Sequence, residues 1–138
     1  MIDKSDLDGA QVSYFYGDGF SQDEIETGFK RAPEWIPDEY FSFWKQFTEF
    51  NPPSVIFFTP APYGAYPNAF EGFSDTFWNS GFKDSERFFP VAYADALQWG
   101  VFEKLQDGSV FCGMYDFVQE EYYMGPFNSF LEWIKNFR

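Results

Sequence analysis

The chain has 138 residues, 45% of them hydrophobic, which is one domain's worth of polypeptide with enough apolar mass for a sizeable core. Its 22 acids against 9 bases give a formal charge of −13, which repels phosphate backbones and anionic membranes, disfavours acidic partners and favours cationic ones. Histidine is absent, so neutral-pH acid/base and metal chemistry lacks its commonest side chain, and binding takes precedence over catalysis.

Aromatics make up 25% of the chain, 21 of them Phe, so the core must be built from large flat side chains, each burying roughly 150–250 Å². Such a core suits a sheet covered by helices. Two readings of the negative charge stay open, one that it only keeps so aromatic a chain in solution and one that it steers a cationic partner. The single Cys112 sits in Val110-Phe111-Cys112-Gly113-Met114, which rules out an internal disulfide and makes the thiol a small buried hydrophobe compatible with a reducing compartment. The amino terminus, MIDKSDLDGA, carries acids where a signal peptide needs bases, and no apolar run approaches the ~18 residues of a membrane helix, so a cytoplasmic protein is expected.

Residues 1–20 mix acids and glycines around Val12-Ser13-Tyr14-Phe15-Tyr16, a run that reads as an edge strand or an ordered arm. Ser21-Gln22-Asp23-Glu24 is a capping box and predicts a short helix, with Ile25 and Phe29 on its buried face, Gly28 weakening it and Pro33 limiting it. A second helix is predicted from Pro37. Asp38 and Glu39 suit the positive end of its dipole, Tyr40, Phe43, Trp44 and Phe47 follow helical spacing as a core face, and Asn51-Pro52-Pro53 ends it. Ser42, Lys45, Gln46 and Glu49 fall on its outer face.

Val55-Ile56-Phe57-Phe58-Thr59 is β-branched and aromatic and reads as a buried strand closed by Pro60. From Pro60 to Arg87 the glycines and prolines predict a long loop whose aromatics mostly pin it onto the sheet, with Tyr63 and Tyr66 the best placed to face a partner. Val91-Ala92-Tyr93-Ala94 predicts a further strand, with Asp95-Ala96 leading on. Leu97, Trp99 and Val101 then alternate with polar or small residues, Asp107-Gly108 supplies a type I′ turn, and Val110, Cys112 and Met114 alternate again, which is a hairpin. Pro126 opens a last helix whose Phe127, Phe130, Leu131, Ile134 and Phe137 recur every three or four residues to cover one sheet face. The fold class that follows is α+β: a mostly antiparallel sheet of about four to six strands covered by N-terminal helices and a C-terminal helix, in a single domain spanning 1–138.

In that order the elements resemble the SUKH superfamily, bacterial immunity proteins with eukaryotic cell-wall regulatory relatives. The likeness spans most of the chain. It rests on Glu24-Ile25-Glu26-Thr27-Gly28, on Trp35-Ile36-Pro37-Asp38-Glu39-Tyr40-Phe41-Ser42-Phe43, on Val91-Ala92-Tyr93-Ala94-Asp95 before Gln98-Trp99-Gly100-Val101-Phe102 and Gly108-Ser109-Val110-Phe111, and on Asn128-Ser129-Phe130-Leu131-Glu132-Trp133-Ile134. Departures are Phe50-Asn51-Pro52 where the family often has Asn-Gly, and Ala96-Leu97 where it often has glycines. A neighbouring group of secretion-system immunity proteins has a similar Pro-x-x-Tyr helix and closing aromatic helix, and the same kind of job.

The resemblance implies that the protein binds and neutralises a cognate bacterial toxin by surface complementarity, acting as a monomer or weak dimer without catalytic, cofactor or metal residues. Toxins of this kind that act on nucleic acid have basic surfaces, toward which −13 speeds encounter, while direct nucleic-acid and membrane binding are not expected. The candidate contact residues are Asp84, Glu86, Asp95, Asp116, Glu120 and Glu121 around Tyr122 and Tyr123, with Tyr63 and Tyr66 from the loop. Two other readings stand beside this one. A carboxylate-pair enzyme is disfavoured because adjacent acids such as Glu120-Glu121 point to opposite faces of a strand, and no nucleophile elbow, phosphate loop or metal-ligand spacing occurs. A carbohydrate- or small-ligand-binding module would use Tyr63, Tyr66 and Trp78 as its platform, if these rings are exposed and coplanar.

Overall fold

A computed structural model describes residues 2–62 and 69–137, and these form an α+β fold. In chain order come β1 (Ser13–Tyr16), α1 (Gln22–Gly28), α2 (Asp38–Phe43), β2 (Phe47–Asn51), β3 (Ile56–Phe57), α3 (Phe70–Trp78), β4 (Phe88–Asp95), β5 (Gln98–Lys104), β6 (Val110–Asp116), β7 (Glu121–Phe127) and α4 (Phe130–Ile134). β3 to β7 make a five-stranded antiparallel meander in sequence order, and β1 pairs antiparallel with β2 in a separate two-stranded sheet. β4 to β7 follow one another as hairpins with short connections, whereas the link from β3 to β4 carries α3 and the link from β1 to β2 carries α1 and α2.

The first helix follows its local chemistry. The Ser21 hydroxyl accepts from the Glu24 amide at 3.1 Å, the Glu24 carboxylate accepts from the Ser21 amide at 2.9 Å, and Ile25 and Phe29 are buried. Gly28 does more than end the helix, since a Cβ there would lie 1.8 Å from the Pro60 carbonyl oxygen, so α1 and the strand-end after β3 approach at backbone contact.

The second helix is shorter than its aromatic spacing predicts. It stops at Phe43, where the amides of Trp44, Lys45 and Gln46 turn to carbonyls three residues back, and Phe47–Asn51 becomes a strand. Pairing with the amino-terminal segment overrides the helical pattern: β1 runs opposite β2, and the amides of Gly17, Gly19 and Phe20 continue the ladder onto the carbonyls of Gln46, Lys45 and Trp44. The stripe itself is core as predicted, with Tyr40, Phe43, Trp44 and Phe47 all buried and Phe43 stacked on Phe47 at 4.2 Å.

The segment read as a long loop contains α3. Phe70, Ser74 and Phe77 form its buried side, Phe73 stacks on Phe58 at 4.6 Å, and Phe77 meets the Trp99 edge at 5.3 Å, so the aromatics do anchor the segment to the sheet. An exposed ion pair, Arg31 Nη1 to Asp75 Oδ1 at 2.6 Å, adds a tie to the segment after α1.

The β5–β6 connection is not type I′, because positive φ falls at Gly108 (89°) and not at Asp107; the Gly108 amide donates to the Leu105 carbonyl and the Leu105 amide to the Ser109 carbonyl, the pattern of a type I turn followed by a left-handed glycine. Pro126 does not open a helix but lies in β7, an outer strand of the meander, where a residue without an N–H is tolerated. α4 begins instead behind Ser129, whose hydroxyl accepts from the Glu132 amide at 3.1 Å. The helix buries Phe130, Trp133 and Ile134 with Phe137 beyond its end, and Trp133 packs over Gly100, where a Cβ would come within 2.8 Å of the indole. Each fully buried ring removes roughly 150–250 Å² from water, an upper-bound stabilisation of about 4–6 kcal/mol.

Candidate functional site

Strand register assembles one group of the predicted residues. Asp95 pairs with Gln98, Gln98 with Asp116 and Asp116 with Glu121, so residues spread over twenty-odd positions stand in a row across four strands at one end of the meander. The turns at that end hold each other, the Phe117 amide donating to the Leu97 carbonyl at 2.9 Å. Asp95 Oδ1 accepts from the Leu97 amide at 2.8 Å, and Asp116 Oδ1 from the amides of Val118 (2.8 Å) and Gln119 (3.0 Å). Both carboxylates are therefore fixed by backbone. The amides of Gln119 and Val118 hold the Asp116 carboxyl below its usual range.

Three large apolar side chains stand out of the same end: Leu97 is 47%, Val118 59% and Tyr123 48% exposed. Around them lie Asp95, Asp116, Glu120 and Glu121, with Lys83 Nζ 3.9 Å from Glu120 Oε1. Burial, and then the charges of Asp95 and Asp116, push the Tyr123 phenol up, so both carboxylates act on this ring.

Tyr122 goes the other way. Its hydroxyl donates to Glu103 Oε1 at 2.9 Å, while Tyr123, the extra residue where the β6–β7 register shifts, stands exposed. Glu103 is only 7% exposed and receives Arg87 Nε on its other oxygen at 2.8 Å. Arg87 also pairs with Asp84 at 2.9 Å, so Asp84 belongs to a tie between the turn before β4, β5 and β7 rather than to the row of acids. Burial, and then the Glu103 charge, push the Tyr122 phenol up. Glu86 is exposed in the single helical turn Ser85–Arg87. Tyr63 and Tyr66 lie outside the described residues. Trp78, the third ring of the ligand platform, is half-buried and carries the Arg31 guanidinium 4.2 Å over its face.

Sequence reasoning missed Leu97, Val118 and Glu103. The alternation places Leu97 in a strand, yet it and Val118 occupy turns, where a large apolar residue among acids is itself a legible sign of a contact surface. Glu103, one acid within an apolar strand, signals a buried partner because an unpaired carboxylate there is costly.

Beside Tyr123 opens a groove of about 540 Å³, bounded by Gln11, Val55, Asp95, Gln98, Asn136 and Phe137 among others. It brings together the segment before β1, the β2–β3 turn, the β4–β5 end, β7 and the tail of α4. Among the described residues no cluster of acids and cysteine has metal-binding geometry, and no helix is long and apolar enough to cross a membrane. Compared with models of known families, with curated proteins and with solved structures, the chain matches none.

Proposed function

We propose that this protein is an immunity protein that binds a basic bacterial toxin and blocks it by covering its working surface. The observation that carries the reading is the end of the meander, where the exposed Leu97, Val118 and Tyr123 share one end of the sheet with Asp95, Asp116, Glu120 and Glu121. An apolar and aromatic centre inside a charged rim is the composition of a protein contact: the centre supplies affinity once desolvated, and the rim selects a partner of opposite charge. Asp95 and Asp116 are held by backbone amides before the partner arrives, so little ordering cost is left for these two on binding. Nothing in this action requires a bond to be made or broken.

The product of a toxin-type gene adjacent to this one should co-purify with the chain. The triple variant Leu97→Asn, Val118→Ser, Tyr123→Ala should keep the fold and weaken the complex by at least about 2 kcal/mol, as loss of a contact centre does. A complex indifferent to all three changes, or turnover of any metabolite or glycan by the chain, would remove the reading.

A further inference from the structure

We infer that the groove beside Tyr123 receives an arginine side chain of the basic partner, its guanidinium lying between the Asp95 carboxylate and the Tyr123 ring; this rests on the partner-binding reading above. Among the described residues, the groove's lining contains one carboxylate and no basic side chain, so its field selects a cation. Its other polar side chains are the amides of Gln11, Gln98 and Asn136 and the hydroxyls of Ser54 and Tyr123, all groups able to accept from the five N–H donors that a guanidinium carries and an ammonium does not. A flat cation also stacks on an aromatic ring, and Tyr123, nearly half exposed, is one of the residues that line the groove. The volume, about 540 Å³, exceeds one side chain and falls in the range of sites that hold a small molecule or a few residues, so the flanking backbone enters too.

The site is preformed. Asp95 is pinned by the Leu97 amide at 2.8 Å, and β7 is paired to β6 on both sides of Tyr123, through Tyr122 and Met124. Asp116, paired with Gln98 across the strands and bonded to its side-chain amide at 3.3 Å, adds a second negative charge just outside the lining.

The test uses the full chain, ¹⁵N-labelled, titrated with the blocked tripeptide acetyl-Gly-Arg-Gly-amide, with its citrulline counterpart, which keeps the shape and loses the charge, and with maltose as a neutral sugar. Saturable amide shifts at Gln98, Tyr123, Met124 and Phe137 are expected with the arginine peptide, at least about tenfold weaker with citrulline, and Asp95→Asn should erase that difference. If Asp95→Asn fails to fold, the arginine and citrulline comparison on the native chain decides alone. Equal binding of the two peptides, shifts confined to another surface, maltose binding more tightly in the groove, or no saturable shift at all would each overturn the assignment. A toxin complex that persists while the groove ignores arginine would leave the immunity reading standing and remove only the groove; an arginine-selective groove in a chain that captures no toxin would do the reverse.

Discussion

Asp116 shows how a single residue joins scaffold and surface. Its Oδ1 gathers the amides of Val118 and Gln119 and so shapes the β6–β7 turn, while its Oδ2 takes the Gln98 side chain. The backbone amides favour the ionised form, so the folded pKa lies below the unfolded one, near 3.9. The sign follows: this stabilisation is complete above the unfolded pKa and is lost as pH falls through the lower folded value. Carboxyl titration by NMR should place the Asp116 midpoint below the ordinary aspartate value, with the Val118 and Gln119 amides shifting over the same range, and Asp116→Asn should remove that transition. A midpoint at or above the ordinary value would contradict the account. The aspartate is legible in the sequence as a candidate contact; its turn and its bond to Gln98 are not, because they depend on how β5, β6 and β7 align.

At the scale of elements, local codes and long-range pairing settle different stretches. α1 forms where its capping box stands, since both bonds of the box close within four residues. α4 is the instructive case, because two start signals compete: Pro126 is a good first helical residue, yet Ser129 three positions on caps the helix. Pairing of Phe127 with Cys112 holds the Pro126 region in β7 and leaves Ser129 as the available cap. Ser129→Ala should therefore cost about 1 kcal/mol in urea unfolding, whereas Pro126→Ala should leave α4 intact. If Ser129→Ala is neutral and Pro126→Ala melts the helix, the assignment of the start is wrong. The amide of Leu131 also donates to Glu39 Oε1 at 3.0 Å, tying α4 to α2 across ninety-odd residues that no local reading connects.

Over the whole molecule, the charge of −13 and the end of the meander act at different ranges. The net charge reaches about a Debye length and governs encounter, while the desolvated centre governs lifetime. Glu120→Lys with Glu121→Lys should slow association with a basic partner by about tenfold and flatten its salt dependence, with a smaller change in dissociation, read by stopped-flow at several ionic strengths. Association rates that do not move would mean that the charge plays no part in steering. What the amino-acid sequence by itself determined is whatever is written within a few residues: the capping box, the alternation on both sides of Asp107-Gly108, the aromatic stripe at Tyr40 to Phe47 as core, and hence an α+β fold around an antiparallel sheet. Tertiary structure alone decided that Phe47–Asn51 is a strand, that Phe70–Trp78 is a helix packed on Phe58 and Trp99, that Tyr122 turns inward to Glu103, and that Asp95, Asp116 and Glu121 share a row. The reason is common to all four: each depends on register or packing between segments far apart in the chain, whose free energy outweighs a local propensity of a few tenths of a kcal/mol per residue.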